Sequence, residues 1–249
     1  MLRLLCVTAH PDDEAGGFGG TLLHYAHMGV ETHVICMTAG HAATHRGNAK
    51  SDDELKQIRR REFAASCRFL QVKNALVLDY PDGKLDQQDV QTTVADLTRR
   101  VREIRPQVIM TFGSEGAITA HPDHSMVSTF TTLAFHWAGR SNRFVDQLQA
   151  GLKPHITQKL YHSTTLFTMP DRQPVSLAPA TAILELGQEG IDAKTAAFKC
   201  HTSQAPLFWF FEESVRRRGK LEMFHLMARS TPMKAEMESD LFAGVVEHD

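Results

Sequence analysis

Four apolar runs in the first 112 residues, separated by stretches with helical marks, restrict the chain to one class of fold. Leu4-Leu5-Cys6-Val7, Thr32-His33-Val34-Ile35-Cys36-Met37, Ala75-Leu76-Val77-Leu78 and Val108-Ile109-Met110-Thr111-Phe112 read as buried strands. Between the first two, Gly16-Gly17-Phe18-Gly19-Gly20 opens a helix that runs from Glu14 to about Met28 and ends at Gly29. Ser51 and Glu54 form a capping box, and the helix behind it, to about Leu70, carries Leu55, Ile58, Phe63 and Phe69 among charges. Val90, Val94, Leu97, Val101 and Ile104 return at helical spacing, with Arg99, Arg100, Arg102 and Glu103 off the stripe, until Arg105-Pro106 stops the helix. Strand and helix in alternation predict a Rossmann-like, three-layer α/β fold with a mainly parallel sheet, helices on both faces and right-handed crossovers.

The remaining residues are read as part of the same unit, so that residues 1–249 form one domain. An apolar helix is expected from about Ser125 to Trp137, strands near Lys159–Phe167 and Ala180–Leu186, and a helix from about Asp192 to His201. Leu207-Phe208-Trp209-Phe210-Phe211 is too short to span a membrane and reads as core or subunit contact, which leaves homo-oligomerisation open. The last several residues read as a loose tail.

A net charge of −2 and a pI near 6.7 leave no basic footprint for nucleic acid. The clusters Arg59-Arg60-Arg61 and Arg216-Arg217-Arg218 are expected on solvated helix faces. The four cysteines are isolated, which fits a reducing compartment, and no run is long and apolar enough to span a bilayer. With no secretory pattern at the N-terminus, a soluble cytoplasmic protein is the expectation.

Chemistry concentrates where two strands end. His10 and Asp13 follow the first strand, His121 and His124 follow the fourth, and a parallel sheet of this kind places both groups at one edge. Two imidazoles and a carboxylate with a position left for water form the donor set of a catalytic Zn2+, and another divalent metal accepts the same donors. His10 could instead only cap its strand, Asp12 or Asp13 the next helix, and His121 and His124 could be a satisfied surface pair. The glycines after His10 do not make a dinucleotide fingerprint, because Leu22 stands where G-x-G-x-x-G requires its third glycine.

In order along the chain, Ala9-His10-Pro11-Asp12-Asp13-Glu14, Tyr80-Pro81-Asp82-Gly83, Arg105-Pro106, His121-Pro122-Asp123-His124 and His201-Thr202-Ser203-Gln204 resemble the LmbE/PIG-L family of zinc-dependent N-deacetylases. The resemblance implies that His10, Asp13 and His124 bind the metal, that Asp12 is the general base and that His121 is a second catalytic residue. It implies a hydrolase that removes the N-acetyl group from an N-acetylglucosamine-type amino sugar or its conjugate, with that small molecule as partner. Members of the mycothiol branch resemble Tyr-Gly-His-Pro-Asp-His, where this chain has Thr119-Ala120 before His121, so a tyrosine hydroxyl is missing from that position.

On chemical grounds, amide hydrolysis needs an activated water, a stabilised oxyanion and a proton for nitrogen. Asp12 is expected to take the water's proton and His121 to lie on the oxyanion side; which of them protonates the amine stays open. Glu14 and Asp123 are expected to orient histidines by hydrogen bonds, a helix-cap role being the alternative for each. Arg46, Asp82 and His201 are expected to bind substrate, with solvation, turn formation and a helix C-cap as their respective alternatives. Two other functions are compatible with the motifs. One is a zinc hydrolase of a different amide, an ester or a phosphoester; the other is a non-catalytic Rossmann-like binding module, which would keep its ligand after Asp12→Ala.

Overall fold

The computed structural model describes residues 1–168, 175–232, 234 and 236–247. Its first half has the expected alternation: β1 (Arg3–Thr8), α1 (Asp13–His27), β2 (Glu31–Thr38), α2 (Asp52–Phe69), β3 (Asn74–Tyr80), α3 (Val90–Ile104) and β4 (Val108–Thr111). There follow α4 (Pro122–Ala138), α5 (Val145–Gln149), β5 (Lys159–Thr164), β6 (Ala182–Glu185), α6 (Gly187–Lys199), α7 (Phe208–Arg218) and β7 (Leu221–Arg229). The strands form one seven-stranded sheet in the order β3-β2-β1-β4-β5-β7-β6. β1 to β5 are parallel, and β7 runs antiparallel to both neighbours, β5 and β6.

The strand order explains where a site can form. The chain builds outward from β1 through β2 to β3 and then returns to place β4 on the other side of β1. Right-handed crossovers in opposite directions put α1 and α2 on one face and α3 on the other. The loops that leave β1 and β4 therefore part from each other, and the crevice between two such strand ends is where open α/β sheets bind ligands.

Both faces are sealed by apolar side chains. Leu4, Leu5, Cys6, Val108, Ile109 and Met110 are fully buried in the two central strands, consistent with helices on either side. On α1 the buried residues include Phe18, Leu22 and Tyr25, and each fully buried large apolar side chain stabilises the fold by about 1.5–3 kcal/mol. α1 packs closely on α6, and a β-carbon at Gly20 would collide with Leu186. Gly20 thus serves helix packing.

Several expectations need correction. α4 begins at Pro122, three residues earlier than expected, because His121 caps it and proline is well placed in a first helical turn. α6 begins at Gly187, not Asp192, and β5 ends at Thr164, short of Phe167. β7 has no counterpart in the sequence reading. The aromatic segment opens α7, with Phe211 buried against Phe198 at a ring separation of 4.0 Å and Trp209 exposed. Arg102 is buried inside α3's packing surface, donating to the carbonyls of Ala138, Arg140, Arg143 and Phe144 and to Gln147. The tail is anchored as far as Val246: Leu241 and Phe242 are buried, and Gln158 exchanges two hydrogen bonds with the Val246 backbone. Residues 248 and 249 lie outside the described residues. Among the described residues no helix is long and apolar enough to cross a membrane, and the four cysteines are free.

Candidate active site

The loop after β1 and the start of α4 meet at the switch point. Asp13 and Glu14 occupy the first turn of α1, where carboxylates are favoured by the helix dipole. His121 caps α4 with its own ring, Nδ1 accepting from the Asp123 backbone N–H at 3.1 Å, so the ring proton sits on Nε2. His124 falls in the first turn behind that cap, and Phe112 from the end of β4 stacks on it at 4.0 Å with the rings 4° from parallel.

His10 lies at the centre. Its Nε2 is 3.0 Å from Asp82 and 3.1 Å from Asp123, which leaves Nδ1 facing Asp13 at 3.5 Å. The other oxygen of Asp13 lies 3.2 Å from His124 Nε2. One ring nitrogen from each of His10, His121 and His124 falls within 4.8 Å of the other two, and His10, Asp82 and Asp123 converge in the same way. His124 Nδ1 is buried with no hydrogen-bond partner among the described residues.

The titration behaviour follows from this crowding. Burial alone would lower the His10 pKa, but hydrogen bonds to Asp123, Asp13 and Asp82 outweigh it and hold it well above the ordinary value. Burial opposes ionisation of Asp13 too, yet His124 and His10 keep its carboxyl well below the usual range. Burial, with His10 and His124 adding to it, lowers His121 and favours its neutral ring. Asp12 is pushed up to about 6, mainly by burial, with Arg59 opposing the shift.

Each expected residue can now be placed. Asp12 sits beside Asp13 with φ of 122°, its carboxylate 2.9 Å from Arg59 and its backbone N–H donating to Glu14 at 2.9 Å. Glu14 is fully buried and contacts His201 at 2.7 Å and Ser66 at 2.6 Å. Asp123 accepts from the backbone N–H groups of Gly83 and Leu85, tying the Pro-Asp-Gly turn to α4. Asp82 is buried and accepts from the Ala42 N–H at 2.6 Å, so its carboxylate supports His10 and does not stand at the surface as a sugar-binding group would. His201 has no exposed surface and lies behind Glu14. Arg46 is engaged in its own loop, with Asp52 at 2.7 Å and the His41 carbonyl at 3.2 Å.

Arg59 is the residue missed from sequence, where it was expected in solvent. It is 3 % exposed and donates to Asp12 and to the carbonyl oxygens of Pro11 and Gly40. Gly40 has φ of +68°, and a β-carbon there would strike the Arg59 guanidinium. The available signal was spacing: Leu55, Arg59 and Phe63 follow one another at four-residue steps, which puts Arg59 on the buried stripe of α2.

Beside the cluster opens a cleft of about 160 Å³. Asp12, Asp13 and His124 form one part of it, and Phe112, Ile118, Phe198, Phe211 and Arg218 are among its other walls.

A switch-point crevice beside clustered imidazoles and carboxylates makes this a candidate metal site on an α/β sheet. The GlcNAc-PI de-N-acetylase (PIG-L) family model matches residues 5–135. A 1D-myo-inositol 2-acetamido-2-deoxy-alpha-D-glucopyranoside deacetylase from Catenulispora acidiphila is 27% identical, with 97% of each chain covered. N,N'-diacetylchitobiose deacetylase from Pyrococcus horikoshii superposes with a TM-score of 0.73 at 25% identity, covering 90% of this chain and 83% of that one. The fold is also that of GalB, the 4-carboxy-2-hydroxymuconate hydratase of Pseudomonas putida, with a TM-score of 0.70, 19% identity and coverage of 94% and 99%. The chain belongs to the PIG-L family and is a deacetylase of that family, a hydrolase acting on carbon–nitrogen bonds.

Proposed function

We propose that the chain removes the N-acetyl group from an N-acetylglucosamine-type amino sugar or its conjugate, releasing acetate and the free amine with the help of a bound zinc ion. The observation that carries this reading is the placement of Asp12 beside the His10–Asp13–His124 cluster, its carboxylate held on Arg59.

The donor set fits zinc. The donor types, imidazole nitrogen and carboxylate oxygen, are those zinc takes: Asp13 Oδ1 lies 3.2 Å from His124 Nε2, its Oδ2 lies 3.5 Å from His10 Nδ1, and one ring nitrogen each of His10, His121 and His124 converge within 4.8 Å. His10, Asp13 and His124 would hold the ion, with Asp82 and Asp123 accepting from His10 Nε2 and fixing its ring. Zinc bound there would supply Lewis acidity and a water that ionises near neutral pH.

The chain's own residues do the rest. Asp12, whose pKa is pushed up to about 6, can take the proton of the attacking water and still give it up near neutral pH. Water adds to the carbonyl carbon, the carbon–nitrogen bond breaks, and the proton passes to the amine nitrogen from Asp12 or His121. His121 keeps its proton on Nε2 and is the available neutral donor toward a developing oxyanion. Glu14 holds the Asp12 backbone, and His201 holds Glu14.

Metal analysis joined to acetate release from N-acetylglucosamine conjugates tests the reading. The wild type should bind metal stoichiometrically and release acetate, and Asp12→Asn should retain the metal and lose turnover. Wild-type protein without metal, or an Asp12→Asn variant as fast as wild type, overturns it.

A further inference from the structure

Arg218 closes α7 and belongs to the same cleft as Asp12, Asp13 and His124. It was expected on a solvated face with its neighbours in the run, and for those the expectation holds: Arg216 and Arg217 each pair with Glu213 at 2.7 Å. Arg218 turns inward instead. Its Nε is buried without a hydrogen-bond partner, and no carboxylate of a described residue stands within ion-pair distance. Burial lowers its pKa from the ordinary value, opposed by the more distant Glu222. Glu222 is itself committed to Lys194 and Thr21. Glu115 shares a second, smaller cavity with Arg218 without pairing with it.

The rest of the cleft is unsuited to a bare sugar. Phe112, Ile118, Phe198 and Phe211 give it mostly apolar walls, broken by the hydroxyls of Thr119 and Ser214, and Gly16 and Gly17 leave space where side chains would project. Most sugar hydroxyls buried against such walls would lose water for the two hydroxyl partners that Thr119 and Ser214 offer. A cavity of about 150 Å³ accommodates a benzene-sized group, and this one is about 160 Å³. An apolar cavity with a lone unpaired cation is complementary to an apolar group that ends in an oxyanion.

We propose that this cleft receives an apolar substituent of the substrate bearing a carboxylate or phosphate, which Arg218 binds while the scissile amide lies at the His10–Asp13–His124 cluster. This rests on the deacetylase reading and adds the substrate class to it. With acetyl as the acyl group the substituent belongs to the amine side; a preference in the acyl-side arm of the test would keep the subsite and overturn the N-acetyl reading.

On the amine side, kcat/KM is compared for phenyl and 4-carboxyphenyl N-acetylglucosaminides; on the acyl side, for N-butanoyl- and N-succinylglucosamine. A buried charge-assisted hydrogen bond should favour the carboxylated member by about tenfold or more in one arm. Arg218→Gln should bring that ratio close to one, and Arg218→Lys should keep part of it. A wild-type ratio at or below one in both arms overturns the proposal whether or not the variants fold, as does a ratio unchanged in folded Arg218→Gln. If no amide is cleaved, calorimetric binding of phenyl and 4-carboxyphenyl glucosaminides decides. A carboxylate preference lost in Arg218→Gln then sustains the subsite while the deacetylase reading falls, and the absence of a preference overturns the subsite.

Discussion

Arg59 Nη2 lies 2.9 Å from the Asp12 carboxylate, and the same guanidinium holds the carbonyls of Pro11 and Gly40. One side chain of α2 thereby ties together the loop behind β1, the end of β2 and the carboxylate proposed as base. Replacing it by glutamine should lower kcat by about 10–100-fold, the usual cost of losing a group that supports a metal-site residue. Metal content should stay near wild type, and Arg59→Lys should restore part of the rate. Steady-state kinetics with metal analysis on the same preparations checks this.

His201 and Glu14 form an ion-pair contact at 2.7 Å with neither side chain exposed. His201→Leu strands the Glu14 carboxylate in the interior and should destabilise the protein by about 3–5 kcal/mol. Glu14→Leu combined with His201→Leu should recover some of that loss, though not all, since Ser66 and the Asp12 N–H also donate to Glu14. Urea unfolding of the two single variants and the double variant measures the coupling.

A resident metal would relieve the mutual repulsion of Asp12, Asp13, Asp82 and Asp123. Chelation should lower Tm by roughly 5–10 °C, from about 2.7 kcal/mol of binding stabilisation at a hundredfold excess over Kd and about 2–4 °C per kcal/mol for a chain of this size. His124→Ala should abolish the chelator effect and metal binding. His121→Ala should keep both and slow turnover, and calorimetry with and without chelator separates the two histidines.

His162 on β5 is buried and accepts or donates to Thr132 at 3.2 Å, and its pKa is pulled down to about 4 by burial, with His225 adding to the shift. The unfolded chain binds that proton near pH 6.5 and the folded chain only near 4, so stability falls as pH drops through that window. The contribution is about 3 kcal/mol when fully expressed. His162→Gln should flatten the decline in unfolding free energy between pH 7 and pH 4.5, measured by chemical denaturation.

Arg102 and Arg99 lie one helical turn apart on α3 and should differ greatly in importance. Arg102→Met leaves the carbonyls of Arg140 and Arg143 and the Gln147 side-chain oxygen without their donor, while Ala138 and Phe144 keep the N–H groups of His155 and Gln147, so a loss of about 3 kcal/mol is expected. Arg99→Ala removes exposed pairs with Asp96 and Glu103, a change of about 0.2–1 kcal/mol. Thermal unfolding of both variants checks the contrast.

These two arginines also show how far the sequence carries. The first half of the fold was legible because its strands are continuous apolar runs and α3 has a clean stripe, and the pairing of strand ends followed from parallel topology. His10, Asp12, Asp13, His121 and His124 were singled out because short, dense motifs sat at those ends. The burial of Arg102 and Arg59 is not legible in the sequence because a charge reads as exposed unless its partners are known, and their partners are mostly backbone carbonyls, which every residue has. β7 is not legible in the sequence because Leu221–Arg229 mixes buried, half-buried and exposed positions without alternation. Asp82 was read as a substrate group because its turn is polar, whereas its contact with His10 joins loops 72 residues apart in sequence.

Asp12 holds a backbone conformation, φ 122°, that side-chain-bearing residues seldom adopt. Such a conformation costs about 1–3 kcal/mol, carried by the surrounding contacts. The aspartate is nonetheless held there twice, by the chemistry proposed for its carboxylate and by the buried guanidinium it neutralises. Glycine would relax the backbone but would also remove the carboxylate and leave the buried Arg59 guanidinium without its charge partner, so Asp12→Gly is a variant that loses turnover without a gain in stability.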